Sequence, residues 1–321
     1  MIDVAPLQAW LATHGWADAD IEALQGDVSP RRYLRVRRRA AARASTPAIL
    51  AVYPESVRPS AARFLRTGAL LDAAGVRVPR VLAVDLDAGL MLIEDLGRET
   101  LYERALDWSG RAPWWQKAAT TIRALREIPA TALVDLNPAL DTELLRRELR
   151  QTAELVLEPA LGGEQALLDD TNAALDAVCV ALGAAPAVPC HRDYMARNLV
   201  PLADGDLAVL DHQDLRLDPP AYDWASLLND SLFAPPGLES ALLADAREAG
   251  VEVEAYRQAA VQRGFKAAGT FVSFSRRGSD RHLPLVAPTL ARALAHLSAL
   301  DLAPGLAPAL GAALRRADLL K

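Results

Sequence analysis

The 321-residue sequence predicts an α+β protein of two lobes, a small sheet-rich N-lobe over residues 1–95 and a larger, mainly helical C-lobe over 96–321. Three observations carry this expectation. The length exceeds one typical core and falls short of three. The first ninety-five residues hold short apolar runs broken by turn residues, whereas the rest holds long stretches with apolar side chains at helical spacing. Between them stands Glu94-Asp95-Leu96-Gly97, the natural boundary, and ligand clefts favour such junctions.

Each element follows from its own pattern. Leu7 to His14 carries an apolar face at helical spacing, stopped by Gly15. Ile21 to Leu24 and Tyr33 to Arg37 are strands flanking the turn Gly26-Asp27-Val28-Ser29-Pro30. Leu34 and Val36 alternate with arginines, which suits an exposed sheet face. Ile49 to Tyr53 is a strand ended by Pro54, and Ser60 to Ala74 is a helix stopped by Gly75. Val81 to Asp85 and Leu90 to Ile93 form a hairpin through Asp87-Ala88-Gly89. Helices are then expected over Trp114 to Glu127, Thr142 to Leu157, Glu164 to Leu182, Tyr222 to Leu232, Leu238 to Ala249, Val253 to Phe274 and Leu285 to Leu300. Val188 to Leu210 interrupts them with two strand-like pieces around a polar loop.

Composition narrows the function classes. The chain is 51% hydrophobic and 24% charged, which is globular and not disordered. A net charge of −6 gives no general field for nucleic acid. No run of 18 apolar residues argues for a membrane span, and the first residues lack a secretory pattern. Two cysteines make no disulfide framework, so a cytoplasmic protein is expected. Five scattered histidines give no zinc spacing, and no G-x-S-x-G elbow supports a serine hydrolase. The basic residues number 35, of which three are lysine: Lys117, Lys266 and Lys321. A phosphate-binding loop of the Gly-Lys-Ser/Thr type is therefore absent.

The polar loop reads Cys190-His191-Arg192-Asp193-Tyr194-Met195-Ala196-Arg197-Asn198. This is H-R-D-x-x-x-x-N, the catalytic-loop spacing of kinases, and it arises by chance in roughly two per thousand chains of this length. An apolar strand, Leu207 to Leu210, follows and ends at Asp211. Phosphoryl transfer needs a carboxylate to orient the attacking hydroxyl and accept its proton, which is Asp193. The nucleotide's Mg²⁺ takes hard oxygen ligands, offered by Asn198 and Asp211. His191 is expected to be a buried, structural histidine.

HRDYMARNLV followed by VLDHQDLRLDPPAYDWASLLND resembles the aminoglycoside phosphotransferase/choline kinase superfamily. Within it the chain looks most like the anomeric sugar kinases that phosphorylate N-acetylmuramate and N-acetylglucosamine at C1. The turn Gly26 to Tyr33, the hinge Ile93 to Gly97 and the segment Gln262-Arg263-Gly264-Phe265-Lys266 also resemble that family, so the likeness runs from about Ala9 to Leu300. It implies a bilobal, protein-kinase-like fold, ATP as donor, Mg²⁺ as cofactor and a small-molecule sugar as acceptor. No protein partner is implied. Adenine would be held by backbone groups near Glu94 to Leu96, and the phosphates covered by the turn of Gly26, Ser29, Arg31 and Arg32. Asp223 matches a family aspartate that braces the catalytic loop.

The chain departs from the kinase pattern in three places. The strand Ile49 to Tyr53 lacks the phosphate-binding lysine, and no lysine precedes Lys117. Arginine is the expected substitute, Arg31 or Arg32, because guanidinium binds phosphate oxygens in a bidentate way; the competing reading makes both solvated loop charges. Met195 stands where the family often has histidine. An aromatic pair expected after the Glu148 helix is Thr152-Ala153-Glu154 instead. Glu148 is a candidate for a sugar hydroxyl, or else pairs with Arg147 or Arg150. Asp214 is a candidate for sugar or metal, and Trp224 for sugar stacking or, more often, core. The sequence thus points to a sugar kinase making a sugar 1-phosphate for cell-wall sugar recycling. The alternatives are a kinase of another sugar, aminoglycoside or amino alcohol, and a silent nucleotide-binding module.

Overall fold

The structure is a computed structural model that describes residues 4–24, 30–39, 46–230 and 232–320. The chain divides into two compact units, Met1–Arg98 with Leu202–Gln213, and Glu99–Pro201 with Asp214–Lys321. The return of residues 202–213 to the first unit is a feature that the sequence reading does not contain.

The first unit holds helix α1 (Val4–Thr13), strands β1 (Ala19–Ala23), β2 (Arg32–Arg38) and β3 (Ala48–Val52), helix α2 (Pro59–Ala73) and strands β4 (Val81–Asp85) and β5 (Leu90–Glu94). The strands form one antiparallel sheet in the order β1-β2-β3-β5-β4. Alternation sorts its residues onto two faces. Leu34, Val36, Ala48, Leu50, Leu90 and Leu92 pack with Leu7 and Leu11 of α1 and with Trp16. Ala51, Tyr53, Met91 and Ile93 pack with Phe64 of α2. One expectation fails here. Arg35 does not lie on an exposed sheet face; it is buried, and its guanidinium holds Asp95 at 2.5 and 3.0 Å. A charged side chain enters such a place when a partner compensates it.

The second unit carries α3 (Trp108–Leu125), α4 (Thr142–Thr152), a π-turn over Ala153–Leu157, α5 (Glu158–Ala160) and α6 (Gln165–Gly183). Strands β6 (Val188–Cys190) and β7 (Leu199–Pro201) follow, then β8 (Leu207–Val209), which belongs to the first unit. The remainder is β9 (Arg216–Asp218), α7 (Tyr222–Asn229), α8 (Pro236–Glu248), α9 (Val253–Arg276), α10 (Val286–Leu300) and α11 (Leu306–Arg316).

Helix α9 is the central pillar and packs on α4, α6, α7 and α10. Its Gly269 faces α4 so closely that a Cβ would lie 2.7 Å from the Thr152 nitrogen. Asp280–Leu300 has the length and apolar composition of a membrane span, the single such stretch among the described residues. It includes α10, whose Leu290, Ala293 and Leu297 are buried and which packs on α9, as a core helix does.

Candidate active site

Antiparallel pairing of β6 with β9 sets the start of the polar loop, with Cys190 opposite Arg216. Asp223 lies in the first turn of α7 and is wholly buried. Its carboxylate accepts the His191 N–H at 2.7 Å and the Arg192 N–H at 2.8 Å. Burial pushes its pKa up, while His191 and these two N–H groups oppose that. Arg192 takes φ +77°, a left-handed conformation costly to a residue with a Cβ. His191 is buried edge-on against Tyr194 at 5.8 Å, and the Tyr194 hydroxyl donates to the Ala118 carbonyl at 3.2 Å. The loop closes with a short 3₁₀ turn, where the Asn198 N–H donates to the Met195 carbonyl at 2.8 Å. The Asn198 side-chain nitrogen donates to the Asp193 carbonyl at 2.8 Å, which leaves the amide oxygen as the atom to offer a cation.

Asp193 is ringed by cations that sequence reasoning did not assign to it. Its Oδ1 lies 3.4 Å from Arg263 Nη2 and 3.7 Å from Lys266 Nζ, both on α9. Burial alone would raise its pKa, but Lys266, Arg263 and Arg192 outweigh that and hold the carboxyl far below the usual range. Arg263 is anchored further by a 2.5 Å bond to the Arg192 carbonyl and lies over the Tyr222 ring. Glu148 of α4 is 9% exposed at its side chain and pairs with Arg192 and, at 3.8 Å, with Lys266. Gln262 donates to it at 3.3 Å and the Tyr222 hydroxyl at 3.5 Å. Burial would raise its pKa too, yet Lys266 and Arg192 lower it. The ion pairs of Glu148 therefore run to the catalytic-type loop and α9, while Arg150 pairs with Glu143 at 3.3 Å. One signal for Lys266 stood in the sequence: a lysine three residues after an arginine, on a helix rich in alanine and phenylalanine, in a chain with three lysines.

In the first unit, Asp211 follows β8 with φ +58°. Among the described residues four non-glycine residues have positive φ; Asp301 and Asp318 follow helices α10 and α11, and the other two are Arg192 and Asp211. The segment carrying Asp211 is tied to its own unit. The Val209 N–H donates to the Arg77 carbonyl at 2.8 Å, and buried His212 meets Thr67 at 2.8 Å and the Phe64 ring at 4.3 Å. Asp211 Oδ1 accepts from Arg31 Nη2 at 3.0 Å and Gln213 Nε2 at 2.9 Å. Arg31 is 14% exposed and Asp211 42%. Tyr33 and Tyr53 stand near this pair, and burial raises both phenol pKa values. Arg32 is exposed at the start of β2.

The remaining expected residues fall as follows. Gly26 and Ser29 lie outside the described residues. Glu94 is held by Arg77 at 2.6 Å and Arg80 at 3.3 Å, and its N–H donates to the Arg80 carbonyl at 2.8 Å. Leu96 lines an open cavity with Asp95, Gly97, Arg35 and Arg98. Asp214, in the second unit, lies 3.6 Å from Arg216 and is 38% exposed. Trp224 is fully buried, which makes it core. No group of three or more His, Cys, Asp or Glu side chains among the described residues is arranged as a metal site. Asn198 and Asp211 fit a hard cation by chemistry, since each offers oxygen: an amide oxygen opposite a fixed nitrogen, and a partly exposed carboxylate.

Comparison with known proteins gives the same direction. The model of the phosphotransferase enzyme family matches residues 20–261. An N-acetylmuramate/N-acetylglucosamine kinase of Pseudomonas aeruginosa is 34% identical over 69% of this chain and 64% of its own length. One of Neisseria meningitidis with the same name is 30% identical over 87% of this chain and 86% of its own length. Choline kinase LicA from Streptococcus pneumoniae superposes with a TM-score of 0.63 at 15% identity, over 92% of this chain and 98% of that one. At such identity the likeness is one of fold: a small sheet-bearing unit and a larger helical one, as in protein-kinase-like phosphotransferases.

Proposed function

The chain belongs to the phosphotransferase enzyme family, and from that premise we propose that it transfers the γ-phosphoryl group of ATP to the anomeric hydroxyl of N-acetylmuramate or N-acetylglucosamine. The products are ADP and the sugar 1-phosphate, a step of cell-wall sugar recycling in the cytoplasm. Family membership carries small-molecule phosphoryl transfer. Relatives that share the name N-acetylmuramate/N-acetylglucosamine kinase, among them those of Pseudomonas aeruginosa and Neisseria meningitidis, support the acceptor.

The observation that supports the chemistry best is the braced loop. Asp223 fixes the backbone of His191 and Arg192, and so presents Asp193 beside α9. In this reading the acceptor O–H donates to Asp193, which orients it and takes its proton as the oxygen attacks phosphorus. Lys266 and Arg263 keep this carboxylate ionised, so that its oxygens are available to accept from the acceptor O–H. Asn198 and Asp211 would hold Mg²⁺, which when bound offsets the negative charge of the phosphate oxygens. Arg31 is the candidate for the missing strand lysine: its guanidinium is 14% exposed and already faces Asp211, whereas Arg32 is exposed at the start of β2. Backbone groups at Glu94 and Leu96 would hold the adenine. Glu148 is tied to Arg192 and Lys266, so its role in this reading is to position them rather than to bind sugar. Asp214 remains a candidate for the sugar.

The test is ADP release from Mg²⁺-ATP with a panel of free sugars, aminoglycosides and amino alcohols. Turnover is expected with the N-acetylated sugars. Nucleotide binding with no acceptor-dependent turnover anywhere in the panel would favour a silent nucleotide-binding module instead.

A further inference from the structure

The loop between Asp193 and Asn198 offers one cation, Arg197, and that cation is engaged elsewhere. Its guanidinium lies 4.7 Å over the Tyr102 ring and 3.2 Å from His282 Nδ1. The ion pairs of Asp193 come instead from one turn of α9. Of its two cations, Arg263 is pinned by its 2.5 Å bond to the Arg192 carbonyl. Lys266 is placed differently. Its ammonium stands 3.7 Å from Asp193 Oδ1 and 3.8 Å from Glu148 Oε1, beyond hydrogen-bond range of both. Its side chain is 20% exposed and that of Asp193 29%. A cation held between two carboxylates by charge, without a short bond to either, is fixed in position and keeps its donors for an incoming anion.

We propose that Lys266 is a catalytic cation of the phosphoryl transfer, contacting the oxygens of the transferring group beside Asp193. This inference rests on the proposed phosphotransferase activity. In the step, an acceptor oxygen forms a bond to the γ-phosphorus as the bond from that phosphorus to the β-γ bridging oxygen breaks. The acceptor proton passes to Asp193, and ADP leaves with the bridging electron pair. Negative charge is then spread over three phosphoryl oxygens, the attacking oxygen and the bridge. A preorganised ammonium in a partly desolvated site stabilises that charge more than the ground state. Glu148 and Asp193 hold the lysine in place before the nucleotide arrives.

Lys266→Met and Lys266→Arg test this through kcat, KM for ATP and for acceptor, and the melting temperature. Lys266→Met should lower kcat about 10²–10³-fold with both KM values within about threefold, and Lys266→Arg should recover at least about tenfold of it. A Lys266→Met enzyme with kcat within about threefold of the parent overturns the proposal. So does a loss that appears as raised KM alone, or one that tracks the fraction of unfolded chain. If Lys266→Met does not fold, Lys266→Arg and Lys266→Gln carry the same comparison. The variants are also compared in slow ATP hydrolysis without acceptor. A parent enzyme that hydrolyses ATP and phosphorylates no sugar sinks the sugar assignment alone, while Lys266 is still judged by the hydrolysis rates.

Discussion

Asp223 spends both carboxylate oxygens on backbone N–H groups of the loop that carries Asp193. Asp223→Ala leaves two buried donors without acceptors, at about 1–3 kcal/mol each. A lower melting temperature and a fall in kcat are expected together, and unchanged kcat would show that the brace is dispensable. Arg35 and Asp95 make a second dependent pair, with side chains 6% and 3% exposed. Arg35→Ala strands the carboxylate and should cost about 3–5 kcal/mol, measured by urea unfolding. That Asp193 and Asn198 belong to one folded loop was legible in the sequence, because they stand at a fixed short spacing, and the Asn198 side chain does return to the Asp193 carbonyl. The partners of Glu148 were not, because Arg192 and Lys266 reach it from other elements. Local spacing suggested Arg147 and Arg150, whereas folding turned Glu148 inward. The same limit hid Arg35, whose strand alternation suggests solvent until Asp95 is brought beside it.

At the scale of elements, α9 is the one that organises the second unit, and its Gly269 marks a close approach to α4. Gly269→Ala would push a methyl against the Thr152 hydroxyl and to 2.7 Å from its nitrogen. The backbone atom cannot swing aside, so a loss of about 1–3 kcal/mol is expected in thermal or urea unfolding. A variant as stable as the parent would mean that α4 and α9 separate at little cost. Most strands and helices were readable from period and turn residues, and their limits shift where side chains decide. Helix α3 begins at Trp108 rather than Trp114, because Asp107 caps it by accepting the Gly110 N–H at 2.9 Å. Helix α7 stops at Asn229, whose amide turns to Tyr256 at 2.9 Å. Thr142 to Leu157 is not one α-helix, since a π-turn takes over at Ala153. Helix α11, entered through Gly305 at φ +76°, was not read at all; its flanks of alanine, proline and leucine gave no polar cap to mark it.

The whole molecule carries a pH dependence that is separate from the chemistry. Burial, and then the neighbouring Arg292, push the His296 pKa down to about 4, while its Nε2 lies 2.9 Å from the Asn229 oxygen. In the unfolded chain this imidazole takes a proton below about pH 6.5. Between about pH 6.5 and 4 the unfolded state therefore binds more protons, and stability falls as pH falls, by about 3 kcal/mol over the window. His296→Gln should flatten that part of the urea-unfolding profile; an unchanged slope would assign it to other groups. A sheet-rich and a helical part were readable from the change of period along the chain, but the return of residues 202–213 to the first unit was not, since nothing local marks it. That return matters, because it puts Asp211 in the unit of Arg31 and Asn198 in the other. The central claim is that this chain is a sugar 1-kinase working through Asp193. Its most direct test is ³¹P NMR of the product from Mg²⁺-ATP and the N-acetylated sugars, run on the parent and on Asp193→Asn. A sugar 1-phosphate signal from the parent, reduced at least about 10²-fold in Asp193→Asn, is the expected result. Phosphate at another hydroxyl, or an undiminished signal from Asp193→Asn, would contradict it.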